Sequence, residues 1–357
     1  MFCMDRDRPD EAMFHWWLPN TPPLAVLVHL AQNSPNKIEL TPIRLYKTDK
    51  GGGLIDAGIS DDELEIVKAA RGLIKKNKKS FEGQWTHPDA GSGRILLASP
   101  PQGPKITPKR CKTWNDFKKW ASYVKAEEDV SLFRGHGSSN FRLSTSLHRA
   151  GRTRLERYCG ETLVEFNAQA EAALAMRLNL MDGHDYSMSL GLAQHHGLPT
   201  PLLDWTLSPY IAAFFAFSDA LEFRQMRPLE THVRIYGVKR IVEKNSTPPN
   251  VTLPFFRDYF AFLSISPRNN PRLNAQQGRF LVTNVEDLES YLANHEMKTG
   301  VKALVAVDVP IKCAEEALDD LYFMGLSAST MFPGLDGVCR MMKHAMLYKR
   351  APLPVKK

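Results

Sequence analysis

Long apolar runs, paired cysteines and a glycine-rich phosphate loop are all absent from this 357-residue sequence. No stretch approaches the roughly 20 consecutive apolar residues that span a bilayer, so we expect no transmembrane helix and no membrane partner. The five cysteines are widely spaced and form no Cys-x-x-Cys pair, which argues against a structural zinc site and for a reducing compartment. The three glycines at 51–53 lack the lysine and the following helix of a phosphate loop. The first 17 residues include acidic groups and no apolar segment of signal-peptide length, so we expect a cytoplasmic location.

What the sequence does contain is an ordinary globular composition with a basic balance. Hydrophobic residues make up 43% and charged residues 24% of the chain, and the net charge of +7 permits an anionic partner. The pattern around Ser60 and Glu63 resembles a capping box and predicts a helix over about 61–79, which places the lysines of KKNKK (75–79) in its last turn. A nucleic-acid patch is the competing interpretation of that run. The basic cluster at 105–112 is the better candidate for contact with phosphate.

Two folding units joined by a connector are predicted along the chain. Residues 1–99 are expected to form a small α+β domain that recognises a target or a partner, and clustered turn residues predict a hairpin over about 81–98. Residues 100–112 are rich in proline and lysine and are predicted to be a linker. The second domain then spans residues 113–357.

The second unit alternates short strands with long helical segments. It opens with a predicted helix over 114–126, in which Trp114, Phe117 and Trp120 recur at helical spacing and belong to the core. Long helical insertions between short strands indicate an α+β fold with a mostly antiparallel sheet. The strand candidates lie at 131–136, from 202 onward, and at 232–238, 279–284 and 301–309.

The most informative stretch is QHHGLPTPLLDWTLSP at 194–209. Gly197 is predicted to end one helix, and Ser208 followed by proline is predicted to start another, whose residues PYIAAFFAF are apolar enough for a core. Burial of polar side chains between a strand end and the amino end of a buried helix costs folding free energy, so we expect such side chains to have a role. Three side chains occupy that position: Asp204, Trp205 and Thr206.

Four motifs in a fixed order resemble the FRG domain, which is named for its Phe-Arg-Gly signature. Here the signature is Phe133, Arg134 and Gly135, within LFRGHGSSNFRLSTSLHR. The stretch at 194–209, the segment NAQQGRF and the segment STMFPGLDGVCRMM follow it, so the resemblance covers roughly residues 106–350. The family usually has an arginine after the threonine of GLPT, whereas this chain has Pro201.

The FRG family is distantly similar to the ADP-ribosyltransferases, whose cleft binds NAD between two small sheets. The resemblance implies an ADP-ribosyltransferase-like split antiparallel sheet with helical insertions, with NAD as co-substrate and no metal. It assigns Arg134 to the NAD phosphate, which a guanidinium binds through paired hydrogen bonds, and Thr206 to the nicotinamide ribose. A late-strand glutamate would stabilise the sugar cation that forms as nicotinamide leaves. A structural salt bridge to Asp204 is the competing interpretation of Arg134.

This sequence has Gln276 and Gln277 where that glutamate is expected. A neutral amide hydrogen-bonds a ribose hydroxyl but does not match a carboxylate against a developing cation. Three alternatives follow: another acid takes over, with Asp204 the nearest candidate, or catalysis is slow, or the fold binds NAD without transferring ADP-ribose. The candidate catalytic residues are therefore Arg134, Asp204, Thr206 and Gln277. The candidate NAD-binding residues are Arg134, Gly135, His136, His196, Thr200, Trp205, Thr206, Ser208 and Gln276.

The adjacent histidines at 195 and 196 invite an acid–base or metal role. Neighbouring residues near a helix end point in different directions, so we expect His196 in the cleft and His195 packed. A metal would need a third ligand that no nearby spacing supplies, and no metal site is predicted.

Three functions are compatible with these patterns. The first is an NAD-dependent ADP-ribosyltransferase-like toxin or antiphage effector, with a neutralising antitoxin expected by analogy. Its target would be RNA, DNA or protein, and the basic balance favours nucleic acid, RNA first. The second is a non-catalytic FRG-fold module that binds nucleotide or nucleic acid. The third is a nuclease or hydrolase that uses Asp204 with a histidine, which would need a metal cluster or an ordered triad.

Overall fold

The computed structural model is a mixed α+β protein built on two sheets. It describes residues 2–16, 22–34, 36–77, 80–98, 103–174, 176–245, 254–263, 265 and 271–348. One sheet comes from residues 2–98 and the other from residues 109–310, and the domain boundaries set at 99 and 113 stay predictions. No helix in these ranges is both long enough and apolar enough to cross a bilayer.

The first sheet contains eight antiparallel strands. They are β1 (Phe2–Asp5), β2 (Arg8–Trp16), β3 (Leu24–Ser34), β4 (Lys37–Thr48), β5 (Leu54–Asp56), β6 (Arg71–Lys76), β7 (Ser80–His87) and β8 (Gly91–Ala98). Their order is β1-β2-β3-β4-β6-β7-β8, and β5 pairs with β4. Three strands separate β2 from β7, yet the rings of Trp16 and Trp85 lie 5.7 Å apart, so the sheet curls on itself. The hairpin predicted over about 81–98 is confirmed as β7 and β8.

The only helix described within residues 2–98 is α1 (Asp61–Lys68), which starts at the predicted capping box. The Ser60 side chain accepts a hydrogen bond from the Glu63 amide, and the Glu63 carboxylate accepts one from the Ser60 amide at 2.8 Å. These reciprocal bonds satisfy two amide groups that the first turn leaves without helical partners.

The prediction that this helix continues to residue 79 is wrong. Residues 71–76 form β6, which pairs with β4 on one side and β7 on the other. Ile74 is 1% exposed and Leu73 is 46% exposed, which is the alternation of a strand with one buried face. Cross-strand pairing has therefore overridden the helical pattern, and Lys75 and Lys76 belong to a strand. The remaining lysines of the run, at 78 and 79, lie outside the described residues.

The second sheet contains seven strands. They are β9 (Lys109–Arg110), β10 (Val130–His136), β11 (Leu202–Thr206), β12 (His232–Lys239), β13 (Phe260–Leu263), β14 (Gly278–Thr283) and β15 (Leu304–Pro310). Their order is β13-β14-β11-β10-β12-β15-β9. All neighbours are antiparallel except β15 and β9, so the predicted mostly antiparallel α+β sheet is confirmed.

Helices cover the second sheet and fill the connections between its strands. They are α2 (Trp114–Ala126), α3 (Ser146–Arg149), α4 (Leu155–Arg157), α5 (Leu163–Leu174), α6 (Gly183–His195), α7 (Pro209–Glu222), α8 (Arg240–Asn245), α9 (Pro271–Ala275), α10 (Leu288–Thr299), α11 (Ala314–Phe323), α12 (Ala328–Met331) and α13 (Leu335–Tyr348). A π-helical turn, Tyr158–Thr162, joins α4 to α5. The predicted helix over 114–126 is confirmed as α2, and its tryptophans are buried.

The main core lies between the sheet and helices α2, α7 and α11. Trp114 stacks on Phe117 with ring centroids 4.8 Å apart and meets Phe217 of α7 edge to face at 6.0 Å. The predicted helix start at Ser208 is confirmed, because its hydroxyl accepts from the Ile211 amide. This packing fixes α7 against β10 and so sets one wall of the cavity described below.

Residues 103–112 lie against the second sheet, although their prolines suggested a linker with little to pack. Within this segment β9 extends the sheet beside β15, and Cys111 is buried. The Ile106 amide donates to the carboxylate of buried Glu289 at 3.1 Å. Backbone pairing and this buried carboxylate hold the segment in place.

A network of charged side chains joins the β1–β2 hairpin to the start of α4. The buried carboxylate of Asp5 accepts from the backbone amides of Thr153 (2.7 Å) and Arg154 (3.0 Å). It also pairs with Arg157 at 3.0 Å. Burial keeps water away from the Asp5 carboxylate, and these partners supply the hydrogen bonds that water would otherwise make. They therefore form a specific contact between the first sheet and the helices of the second part of the chain.

Buried His148 on α3 is expected to make stability fall as the medium is acidified. Burial lowers its pKa from 6.5 to about 4. Since the unfolded chain then binds protons more tightly, the stabilisation is complete above pH 6.5 and is lost as the pH falls toward 4. Between pH 7 and pH 5 we expect the free energy of unfolding of the wild type to fall by about 2 kcal/mol more than that of His148→Gln. Urea unfolding at the two pH values measures this, with exposed His184→Gln as the control; equal losses in wild type and His148→Gln would contradict it.

Candidate functional site

Three neighbouring strands bring the sequence motifs together. In the order β14-β11-β10, the strand of the Phe-Arg-Gly signature lies beside the strand of the Asp-Trp-Thr triplet, and the strand that follows the two glutamines lies beside that. Phe133 is opposite Thr206, and Thr206 is opposite Gly278. Motifs more than 140 residues apart in sequence therefore meet at one place.

A cavity of about 850 Å³ opens at this place. That volume is in the range of sites for small molecules and cofactors. Seven of the predicted site residues line it: Arg134, Gly135, His136, Asp204, Trp205, Thr206 and Gln276. Four others are outside the described lining: His196, Thr200, Ser208 and Gln277. The adjacent His195, which was expected to be packed, lines the cavity in place of His196.

Arg134 lines the cavity, and two of its three guanidinium nitrogens are held by hydrogen bonds. Its Nε donates to Nε2 of His136 at 3.1 Å, and its Nη1 donates to the backbone carbonyl of Asp204 at 2.6 Å. The salt bridge to the Asp204 carboxylate that sequence reasoning offered as an alternative is present, but at 3.8 Å it is long. The side chain is only 17% exposed, and burial lowers its pKa against the opposing effect of Asp204. Nη2 makes no hydrogen bond to a described residue and is available to a ligand.

His136 orients Arg134 and is not a proton carrier at neutral pH. Burial, followed by the positive charge of Arg134, lowers the pKa of its imidazole well below the usual value. The neutral ring accepts at Nε2, so its proton is on Nδ1. This arrangement holds the plane of the Arg134 guanidinium.

Asp204 is one of the two carboxylate residues in the lining of the cavity. Its side chain is 56% exposed, whereas its backbone is fixed in β11. Gln194, at the end of α6, donates from Nε2 to Oδ2 of Asp204 at 2.8 Å. Oδ1 has no hydrogen bond within the described part of the chain. The group is therefore oriented on one oxygen and open on the other.

Thr206 and Ser208 are hydrogen-bonded to each other at the junction between β11 and α7. The Thr206 hydroxyl donates to the Gln276 carbonyl at 2.8 Å and accepts from the Ser208 amide at 3.2 Å. Its proton is therefore used, which leaves the hydroxyl one lone pair with which to accept from a ligand, and the ribose contact of Thr206 stays a prediction. The Gln276 side chain donates to the Met331 carbonyl at 2.9 Å, and Gln277 has a left-handed φ of 48° at the turn into β14.

Trp205 and Thr200 lie mostly behind the cavity wall. The indole of Trp205 is 2% exposed and packs edge to face with Phe262 at 6.3 Å between ring centroids. Thr200 is buried, and its hydroxyl donates to the side-chain oxygen of Gln194. Trp205 thus lines the cavity with little exposed surface and Thr200 is outside the described lining, and their predicted contacts with NAD stay predictions.

Gly135 allows α7 to lie directly on β10. A Cβ atom at this position would be 1.9 Å from the backbone carbonyl oxygen of Ala212, a distance that forces the backbone to move. A Cβ atom on Gly137, two residues later, would be 1.9 Å from a carboxylate oxygen of Asp219, so there a side chain would have to move. The glycine of the signature is therefore required for the close helix–strand packing that shapes the cavity.

Gly135→Ala is expected to destabilise the protein by about 3 kcal/mol or more, because the clash is with backbone and no rotamer relieves it. Urea unfolding measures the change. Gly160→Ala is the control, since a Cβ atom there meets nothing within 4 Å. A Gly135→Ala protein as stable as the Gly160→Ala protein would contradict this account of the packing.

The lining of the cavity is strongly cationic. Two aspartates, Asp204 and Asp219, face six arginines: Arg134, Arg142, Arg149, Arg227, Arg272 and Arg279. Two of the six have no ion pair to a described residue. Arg149 donates to the Ser144 carbonyl, and Arg279 donates to the Gly278 carbonyl at 2.9 Å. Unmatched guanidinium groups around a concave wall attract an anion and bind phosphate well.

Aromatic rings also line the cavity, among them Phe141, Phe215 and Phe332. Phe215 and Phe332 meet edge to face at 5.8 Å between ring centroids. Arg227 has Phe141 at 4.8 Å and Phe223 at 4.7 Å from its guanidinium carbon, and it pairs with Asp219 at 2.6 Å. Arginine and phenylalanine faces are surfaces on which a planar base can stack.

The described residues contain no group of three or more His, Cys, Asp and Glu side chains that could hold a metal ion. The rings of His195 and His196 contact each other edge to face at 4.8 Å between centroids. The arrangement that the structure describes is thus a cavity lined by six arginines with one oriented carboxylate.

Sequence reasoning missed several cavity residues whose signals were nevertheless present. Arg149 is the last residue of the LSTSLHR segment, and Gln194 directly precedes the two histidines. By contrast, no pattern marks Arg227, in the connection after α7, or Arg272, in the short helix α9. Their convergence depends on how the loops pack, which periodicity does not encode.

Comparison with known proteins gives one result. The family model of the FRG domain matches residues 129–225, from the start of β10 to just beyond the end of α7. No curated protein and no solved structure matches the chain. The matched segment contributes Arg134, Gly135 and Asp204 to the cavity. On this evidence the chain contains an FRG domain at residues 129–225.

Proposed function

We propose that this protein is an NAD-dependent ADP-ribosyltransferase-like enzyme whose cavity binds NAD. The observation that carries the proposal is the convergence of β10, β11 and β14 on one arginine-rich cavity with an oriented carboxylate. A dinucleotide has two linked phosphates, two riboses and two planar bases. The wall offers a matching group for each: arginines for the phosphates, polar groups for the riboses and phenylalanine rings for the bases.

In this proposal Arg134 and Arg149 bind the diphosphate. Burial is the main cause of the lowered pKa of Arg134, and the positive charge of Arg149 lowers it further. Two guanidinium groups that repel each other in the free protein are stabilised together by an anion between them. Asp204 alone does not neutralise both.

Asp204 takes the role of the absent late-strand glutamate. The bond from the ribose C1′ to the nicotinamide nitrogen breaks with both electrons leaving on nicotinamide, and C1′ becomes positive. A carboxylate within the cavity stabilises that charge. A nucleophile of the target then forms the new bond to C1′ and gives its proton to water or to a nearby base. Gln276 and Gln277 are neutral and do not supply this stabilisation.

Nucleic acid is the target class that charge favours, and RNA is the first to test. Residues 101–357 hold 33 basic and 26 acidic residues, whereas residues 1–100 hold 13 of each. The positive surplus thus belongs to the part of the chain that carries the cavity, where a polyanion would be attracted to the rim. An intracellular enzyme of this kind would act as an effector held in check by a neutralising partner.

The test is incubation with NAD labelled on its adenylate, together with RNA, DNA and a protein lysate in separate reactions. We expect label on RNA and release of one nicotinamide per label transferred. Label on protein alone would reject the nucleic-acid target. Saturable NAD binding without nicotinamide release would instead support the non-catalytic nucleotide-binding module, which the two glutamines favour. RNA shortening without NAD would support the nuclease.

A further inference from the structure

We propose that Gln194 and Thr200 are positioning residues that hold the Asp204 carboxylate toward the cavity. This inference rests on the proposed function in one respect, namely that Asp204 acts on bound NAD. The hydrogen-bonded chain itself is a property of the folded protein.

The direction of the hydrogen bonds in this chain is fixed by chemistry. The Thr200 hydroxyl accepts from the Leu202 amide at 3.2 Å and donates its single proton to Oε1 of Gln194. Since Oε1 is thereby the acceptor, the amide nitrogen of Gln194 must face the other way. It donates to Oδ2 of Asp204 at 2.8 Å. The chain therefore always ends with a donor directed at the carboxylate.

The inner end of the chain is rigid. Thr200 is buried, and its amide donates to the Ser146 hydroxyl at 3.0 Å. Its carbonyl accepts from the Leu147 amide at 3.2 Å. The outer end is the opposite case, because an aspartate side chain that is 56% exposed would otherwise sample several rotamers. Through its two hydrogen bonds, Gln194 holds the exposed Asp204 carboxylate in a fixed position relative to buried Thr200.

Arg134 completes the arrangement from the other side. It bonds the Asp204 backbone carbonyl at 2.6 Å and approaches Oδ2 at 3.8 Å. The approach to the carboxylate is to Oδ2, the oxygen that also accepts from Gln194, so Oδ1 is left for the ligand. Preorganisation of a charged group in this way contributes to catalysis because the group does not reorganise during the reaction.

The kinetic test uses four variants. Gln194→Ala removes the donor and Thr200→Val removes the hydroxyl, while Thr200→Ser restores it; Gln169→Ala, an exposed glutamine on α5, is the matched control. We expect kcat for nicotinamide release to fall about 10- to 100-fold in the first two, with the Kd for NAD within about threefold of wild type. Thr200→Ser should stay within about threefold in both. A loss in Kd alone, or equal defects in Thr200→Val and Thr200→Ser, would overturn the proposal.

A second measurement does not depend on NAD. Urea unfolding of Gln194→Ala, Asp204→Ala and the double variant forms a double-mutant cycle. We expect the double variant to be less destabilised than the sum of the single variants, because the second change removes a partner already lost. Additive effects would overturn the positioning role. If wild type releases no nicotinamide, the proposed function fails, and the cycle alone decides whether the chain exists in solution.

Discussion

Asp204→Ala should lower the rate of NAD cleavage about 10³-fold and leave NAD affinity within a few-fold of wild type. The physical reason is that Asp204 is the carboxylate held in the cavity by a neutral donor, with one oxygen free. Its charge matters most when C1′ becomes positive and little when NAD first binds. A change in kcat without a matching change in Kd is the signature of an interaction made in the transition state.

Asp204→Asn separates charge from shape. The amide fills the same space but has no charge, so it should lose nearly as much activity as alanine. Asp10→Ala, at an exposed position on β2 of the first sheet, should leave nicotinamide release unchanged. An Asp204→Asn enzyme with wild-type kcat would show that the carboxylate does not stabilise the transition state, and Asp219 would become the candidate.

Arg134→Ala should weaken NAD binding about 100-fold, because charge-assisted hydrogen bonds to a phosphate are among the strongest in proteins. The change also removes the donor to Nε2 of His136 and to the Asp204 carbonyl, so the cavity loses its fixed wall. Titration of the variant with NAD, followed by calorimetry, measures the loss.

Arg134→Lys keeps the charge but cannot donate to His136, to the Asp204 carbonyl and to a phosphate at once. We expect its affinity for NAD to lie between those of wild type and alanine. Arg177→Ala is the matched control, since this arginine is exposed and, among the described residues, forms an ion pair with Glu171 alone, at 3.3 Å. If Arg134→Ala bound NAD as tightly as Arg177→Ala does, the site would lie elsewhere.

Much of the second sheet and its main helices could be predicted because their signals are local. Helix α2 has a threonine cap and apolar residues at helical spacing, and α7 has a serine cap followed by proline. The first sheet was harder. Its strand β6 looks helical in sequence and becomes a strand only because β4 and β7 flank it, which is information that a window of the sequence does not contain.

The site was predictable to the extent that strands carry it. Arg134 and Asp204 were found because each lies within or at the end of a buried strand. A charged side chain in such a strand is unfavourable unless it has a partner or a function. His196 was preferred over His195 because sequence alone does not fix which neighbour points inward at the end of α6. Arg149 and Gln194 were missed as cavity residues because their roles follow from the packing of α3 and α6 around the three strands.

Titration of the wild-type protein with NAD is the decisive measurement of whether the arginine-lined cavity holds this dinucleotide. We expect saturable binding of one NAD per chain, competition by ADP, and weaker binding as salt screens the arginines. A folded protein that takes up no NAD at millimolar concentration would contradict this expectation.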